Sequence, residues 1–174
     1  MTKADSEAAD LLRKAGIKKP PVDVERLADD LGAKVTLEGL DQEVSGVLYR
    51  LPERLVIAVN RDHALTRRRF TIAHEIGHLV LHQGRPLIVD HVVRARVSLR
   101  DSRSSLATER EEIEANRFAA SLLMPADFIH ACIGKELRRK LDEVETIDGL
   151  ARMFAVSAQA MEFRLANLGL RAAV

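Results

Sequence analysis

The stretch FTIAHEIGHLVLH, from Phe70 to His82, constrains the fold more than any other part of this sequence. It contains three of the chain's six histidines, and apolar or small residues stand between them. His74 and His78 are four residues apart, so on an α-helix they lie one turn apart on the same face. The apolar residues around them also recur with helical spacing. The sequence therefore predicts a helix that directs two imidazoles towards one point.

Two imidazoles at this spacing can bind one zinc ion at about 2.0–2.1 Å. Glu75 points about 100° around the helix from His74, which places its carboxylate beside such an ion. There it can accept a proton from a metal-bound water and pass it to a leaving amine, so the pattern indicates amide hydrolysis. The alternative is a structural helix, because the five-residue pattern arises by chance in on the order of one such chain in a hundred. Gly77 favours the metal site, since it would let a second element approach closely.

A zinc site of this kind needs a third protein ligand. His82 lies eight residues after His74, a rise of about 12 Å along the helix, so we expect it to pack against the site or orient it rather than to bind the same ion. A carboxylate from a second helix remains, and the amphipathic segment EREEIEANRFAASLLMP supplies one. Glu111, Glu112 and Glu114 are all eligible, and spacing alone does not choose among them.

These two segments together resemble the ImmA/IrrE family of zinc metallopeptidases. RRRFTIAHEIGHLVLH followed by EIEANRFAASLLMP carries the resemblance, and the strands GVLYRL and LVIAVN and the closing FAVSAQAMEFRLANLGL extend it over most of the chain. The resemblance implies that Glu112 is the third zinc ligand beside His74 and His78, and that Glu75 is the general base and then the acid. Glu114 falls where relatives often carry glutamine, so the resemblance argues against it as a ligand.

The resemblance also implies a biological role. Members of the family are cytoplasmic bacterial or phage proteases that cleave a transcriptional repressor and so derepress mobile-element, stress-response or DNA-damage genes, and others accompany toxin–antitoxin loci. Because the sequence shows no fused DNA-binding domain, the expected substrate is a separate helix-turn-helix repressor or an antitoxin. The alternative is a regulatory binding module that acts on a repressor or on DNA without proteolysis, against which the intact Glu75 argues.

The expected fold class is α+β, in one metallopeptidase domain over residues 1–174. Residues 1–33 read as a helical entry segment. Residues 34–125 hold the sheet and a zincin-like core of two zinc-site helices; the runs AKVTLEG, EVSGVLYRL and ERLVIAVN predict a small antiparallel sheet. Residues 126–174 read as a helical tail with the rhythm of a helix-turn-helix.

Composition limits the partners. The formal net charge is +1, with 47% hydrophobic and 30% charged residues, which argues against a nucleic-acid or membrane surface that covers the whole domain. No run approaches the roughly 18 apolar residues of a membrane span. The lone cysteine, Cys132, and an N-terminus without the apolar core of a signal peptide predict a cytoplasmic protein.

Three further features have a functional and a structural interpretation. The second helix of the tail, SAQAMEFRLANLG, offers only Arg164 as a cation, so direct DNA binding is not favoured. The run from Arg67 to Arg69 is either a charged helix start or a docking patch for an acidic segment or nucleic acid. Tyr49, the single tyrosine, is a candidate for stabilising the oxyanion of a tetrahedral intermediate.

Overall fold

The computed structural model describes residues 2–51, 53–82, 87–91, 108–134, 140–141 and 143–171. These residues form helices and a sheet in an α+β arrangement, as the sequence predicts. In chain order the elements are α1 (Lys3–Lys14), α2 (Val24–Asp30), β1 (Ala33–Glu38), β2 (Val44–Leu51), β3 (Arg54–Asn60), α3 (Leu65–Leu81), β4 (Leu87–His91), α4 (Glu109–Leu123), α5 (Ala126–Cys132), α6 (Val144–Phe154) and α7 (Ala158–Asn167).

The sheet is mixed, so the prediction of an antiparallel sheet is wrong for one pair of strands. Its order is β1-β3-β2-β4, with β2 antiparallel to β3 and to β4. Strand β1 instead pairs in parallel with β3, from Ala33 opposite Leu55 to Glu38 opposite Asn60. The cause is the position of β3, which turns back from β2 and inserts between β2 and β1. Hydrophobic alternation identifies strands and their buried faces, but it does not identify their neighbours.

One face of the sheet packs against the helices. Leu48 on β2 lies opposite Ile57 on β3, and both side chains are fully buried in the hydrophobic core. The same core contains Ile72 and Ile76 of α3 and Phe118 of α4. Because side chains alternate along a strand, every second residue of β2 faces α3. The helix that carries the histidine motif is thus held between the sheet and α4.

Helix α1 begins at Lys3 because Thr2 and Asp5 form a capping box. Asp5 also reaches α4: its carboxylate accepts hydrogen bonds from Arg117 at 3.0 Å and from the Ser121 hydroxyl at 2.8 Å. Partial burial acts to raise the pKa of Asp5, but the hydrogen bonds from Arg117, Thr2 and Ser121 outweigh it and hold that pKa well below its usual range. Asp5 therefore ties the entry segment to α4.

We expect Asp5→Asn to lower the free energy of unfolding at pH 7 by about 2 kcal/mol, because it removes a charge-assisted contact with Arg117. The folded pKa of Asp5 is below its ordinary value of 3.8, so this stabilisation is complete above about pH 4 and is lost as the pH falls further. Urea unfolding followed by circular dichroism between pH 7 and pH 2.5 measures it. A difference between variant and wild type that stays constant over this range would contradict the prediction.

Two arginines, the half-buried Arg69 and the buried Arg164, join the helical tail to the rest of the fold. Arg69 of α3 donates to the carbonyl of Val22 at 2.7 Å and to the carbonyl of Ala155, in the turn between α6 and α7, at 3.1 Å. Arg164 of α7 donates to the carbonyl of Met124, which ends α4, at 2.9 Å. Arg69 is therefore a structural link, and this removes it from the docking patch considered for Arg67 to Arg69.

The tail has the predicted helix, turn and helix. Ala155 adopts a left-handed conformation (φ 53°) between α6 and α7, and the Ser157 hydroxyl caps α7 by accepting from the Ala160 amide. Arg164 is the one cation of α7, and it is buried against Met124. It cannot contact a phosphate in this position. Among the described helices, none combines the length and apolar character that a bilayer crossing requires.

Candidate metal centre

Helix α3 carries His74, Glu75 and His78 on its middle turns, and all three side chains are buried. A buried imidazole or carboxylate loses its hydration, so hydrogen-bonding or charged partners must compensate for the free energy of desolvation. The Nε2 atoms of His74 and His78 lie 3.0 Å apart, as expected for two histidines one turn apart that point to one location.

Helix α4 supplies the carboxylate that faces these histidines. Thr108 caps the helix and forms a capping box with Glu111: the Thr108 hydroxyl accepts from the Glu111 amide, and the Glu111 carboxylate accepts from the Thr108 amide at 2.7 Å. Glu111, one of the three candidates, is thus a capping residue. Glu112 is the next residue, and its side chain is buried against α3.

The donor atoms have the spacing of a metal site. Glu112 Oε2 lies 3.5 Å from His74 Nε2, and Glu112 Oε1 lies 3.3 Å from His78 Nε2. A tetrahedral zinc ion with bonds of about 2.1 Å separates its ligand atoms by about 3.4 Å. The observed 3.0, 3.3 and 3.5 Å are close to this value. The donor set, two imidazoles and one carboxylate, could therefore hold one metal ion.

Gly77 permits this approach of α4 to α3. A Cβ atom at Gly77 would lie 3.2 Å from the Cα and the carbonyl oxygen of Ala115 and 3.2 Å from Cδ1 of Phe118. Backbone atoms cannot move aside as a flexible side chain can, so a larger residue at position 77 would push α4 outward. The close contact expected at Gly77 is confirmed.

We expect Gly77→Ala to lower the free energy of unfolding by about 1 kcal/mol, because the added methyl overpacks the contact with Ala115 by more than the helix-propensity gain. Gly149 is the matched control: it lies within α6, and a Cβ atom there meets nothing within 4 Å. Gly149→Ala should instead raise stability by about 0.8 kcal/mol. Denaturant unfolding measures the free energy of unfolding of both variants, and equal effects of the two substitutions would contradict the prediction.

Strand β2 passes directly over Glu75. A Cβ atom at Gly46 would collide with the Thr71 side chain and lie 3.2 Å from Oε1 of Glu75. Only glycine leaves room for the carboxylate at this place. Gly46 was not singled out from the sequence, although a glycine within the strand pattern EVSGVLYRL is a signal of close backbone approach.

Arg50 adds a positive charge to the strand side of the site. Its Nη2 atom donates to the carbonyl of His78 at 2.7 Å, so the guanidinium anchors β2 to α3 next to a donor residue. Burial lowers the pKa of Arg50, and the charge of Glu75 partly opposes this by raising it. Arg50 was also missed, because nothing in its local sequence shows that β2 lies across α3.

Each histidine of the donor set has a second partner at its other ring nitrogen. Nδ1 of His74 lies 3.0 Å from Oδ1 of Asn116 on α4. Nδ1 of His78 lies 3.0 Å from Nδ1 of His82, one turn further along α3. His82 therefore lies behind the donor atoms, and its role in packing against the site or orienting it stays a prediction. Asn116 was not singled out from the sequence.

Glu114 contacts His82 and lies outside the donor set. Its Oε2 atom is 3.1 Å from Nε2 of His82, and its Oε1 atom accepts from Nε of Arg110 at 3.0 Å. The hydrogen bond from His82 lowers the pKa of Glu114, with a further lowering by Arg110. The structure thus brings Glu112, rather than Glu114, to His74. The role of Glu112 as a metal ligand stays a prediction.

Tyr49 occupies the other face of the sheet. Gly46 and Arg50 lie on the face of β2 that packs against α3. Because side chains alternate along a strand, Tyr49 lies on the opposite face, with 38% of its surface exposed. This placement gives no support to an oxyanion-stabilising role for Tyr49, which stays a prediction.

Comparison with known proteins gives three similarities. A sequence model of the family described as the IrrE N-terminal-like domain, a peptidase family, matches residues 28–166. Immunity region protein 2 of Bacillus phage phi105 is 28% identical over 125 residues, which cover 71% of each chain. A Mycobacterium tuberculosis transcriptional regulator has the same fold, with a TM-score of 0.61 and 23% identity over 95% of this chain. The chain spans 47% of that regulator.

Proposed function

We propose that this chain, which belongs to the family described as the IrrE N-terminal-like domain, is a zinc-dependent endopeptidase that acts on a protein substrate. One observation carries the proposal. The donor atoms of His74, His78 and Glu112 are buried and spaced for one tetrahedral ion, and Glu75 follows the first of them on the same helix. A purely structural helix would need neither the convergence of three donors nor a buried carboxylate beside them.

The ligands in this proposal are Nε2 of His74, Nε2 of His78 and a carboxylate oxygen of Glu112. Three protein ligands are typical of catalytic zinc sites, whereas structural zinc sites usually have four. Zinc held there would supply Lewis acidity, which lowers the pKa of water and polarises a peptide carbonyl.

Glu75 performs the proton transfers. Its carboxylate is fully buried next to Gly46 of β2, on the same helix as His74 and His78, where water is largely excluded. It accepts the proton of the attacking water and then donates that proton to the amine nitrogen that leaves when the peptide bond breaks. The backbone of β2 at Gly46 approaches the carboxylate closely from the strand side, and the positive charge of Arg50 interacts favourably with its negative charge.

The substrate in this proposal is a separate transcriptional repressor or an antitoxin, cleaved in the cytoplasm so that the repressed genes are expressed, among them stress-response or toxin–antitoxin genes. The names of the two relatives, an immunity region protein and a transcriptional regulator, support a regulatory setting. The buried position of Arg164 argues against direct DNA binding through α7.

The decisive experiment incubates the zinc-loaded protein with the repressor encoded beside its gene and identifies fragments by mass spectrometry. We expect cleavage at one or few bonds, inhibition by a chelator and recovery on addition of zinc. The Glu75→Gln variant is the matched control, because it keeps the shape of the side chain. If wild type and Glu75→Gln derepress the target genes equally in cells, the proposal of a peptidase is overturned. The alternative, a binding module that acts without proteolysis, is then supported.

A further inference from the structure

We infer that His82 and Glu114 are positioning residues that fix the ring and the tautomer of His78 for metal binding. The inference rests on the proposed zinc function. It concerns a chain of three side chains, His78, His82 and Glu114, which we call the support chain. The support chain begins at Nδ1 of His78, the ring nitrogen that points away from Glu112.

The distances give the support chain one proton order. A histidine that binds a metal through Nε2 carries its proton on Nδ1, so His78 is the donor in its 3.0 Å contact with Nδ1 of His82. His82 must then accept at Nδ1 and carry its own proton on Nε2. That proton faces Oε2 of Glu114 at 3.1 Å, where a carboxylate accepts it. Each contact thus specifies the next.

The last member is held from both sides. The second oxygen of Glu114 accepts from Nε of Arg110 at 3.0 Å, one turn back on α4. Arg110 and Glu114 are an i, i+4 pair, so the helix itself sets their separation. With both of its oxygens engaged, the carboxylate presents a defined acceptor to His82. His82 is itself buried, which keeps water from replacing it as the partner of His78.

The two histidines of the donor set receive different support. His74 faces the neutral amide oxygen of Asn116, whereas His78 is linked through His82 to a carboxylate. Partners of this kind orient a ligand ring and raise its basicity, and their loss typically costs about 10–100-fold in metal affinity. For a support chain with one intervening ring we expect the lower end, about tenfold.

The test measures zinc affinity by competition with a chromophoric chelator in matched pairs of variants. His82→Leu removes the acceptor, whereas His82→Gln can still accept from His78 and donate to Glu114. Glu114→Ala removes the last acceptor, whereas Glu114→Gln keeps one acceptor oxygen for His82 and loses the charge and the second acceptor oxygen. Glu109→Ala, at an exposed position in the first turn of the same helix, is the control for loss of a negative charge.

We expect zinc affinity about tenfold weaker for His82→Leu and Glu114→Ala, and within about threefold of wild type for His82→Gln, Glu114→Gln and Glu109→Ala. A second readout is long-range nitrogen-15 NMR of the histidine rings in the zinc-loaded protein. It should show the proton of His78 on Nδ1 and that of His82 on Nε2, a pattern that mere packing would not impose.

Unchanged affinity in both His82→Leu and Glu114→Ala, or a proton on Nδ1 of His82, would overturn the support chain and leave the zinc site standing. A wild-type protein that binds no zinc would overturn the proposed function, and the support chain with it. If His82→Leu does not fold, the Glu114 pair decides, because that side chain is 40% exposed and its truncation opens no cavity.

Discussion

Glu75→Gln is expected to slow peptide cleavage by about 10³-fold and to leave zinc affinity within about twofold of wild type. The amide has the shape of the carboxylate, so the fully buried side chain can be replaced without a cavity. It cannot accept a proton, and general acid–base groups typically contribute about 10²–10⁴-fold. Rates are measured on a peptide that spans the cleavage site, with zinc content determined in parallel.

Glu75→Asp separates charge from position in the same assay. It keeps the carboxylate but withdraws it by one methylene from the donor atoms of α3. We expect an intermediate rate, because proton transfer requires hydrogen-bond reach of about 2.6–3.2 Å. Full activity in Glu75→Gln would refute the role of Glu75 as the proton acceptor, whatever the rate of Glu75→Asp.

Glu112→Ala is expected to weaken zinc binding by more than about 100-fold, beyond the usual cost of losing a supporting residue. The variant removes one of the three proposed protein donors and leaves only the Nε2 atoms of His74 and His78, which lie 3.0 Å apart. Glu114→Ala is the comparison, because it removes a carboxylate two residues away that contacts His82 instead. Competition titration and metal analysis of the purified proteins measure both.

The order of these two effects tests the assignment of the third ligand. If Glu112→Ala retains zinc as well as wild type does, the centre does not use Glu112. If Glu114→Ala is the weaker binder of the two, the ligand was assigned to the wrong glutamate. Far-ultraviolet circular dichroism of the metal-free variants controls for loss of fold, since Glu112 is buried and Glu114 is half-exposed.

The part of the site on α3 was predictable because it depends on local geometry. The spacing of His74 and His78 fixes their common face on any helix, and Gly77 between them indicates close packing. The choice of Glu112 could not be predicted from local geometry, because three glutamates lie at the start of one helix and only the packing of α4 on α3 selects among them. The resemblance to the ImmA/IrrE family, confirmed by the match over residues 28–166, made that choice.

The contribution of β2 could not be read from the sequence. Gly46 and Arg50 reach Glu75 and His78 only because β2 lies across α3, and this depends on the order of strands in the sheet. The sheet order was also the error of the fold prediction, since β1 pairs with β3 in parallel. Alternation within a strand is a local property, whereas the choice of neighbour is made by the whole chain.

The arginine links described above make the tail part of the support of the centre. Arg69 belongs to the same helix as His74, and it is tied to the turn at Ala155; Arg164 is tied to the end of the helix that carries Glu112. Removing α6 and α7 would leave the Met124 carbonyl without this donor and uncover core residues. We therefore expect a protein that lacks α6 and α7 to unfold less cooperatively. We also expect α3 and α4, which carry the two halves of the centre, to lose their fixed positions relative to each other.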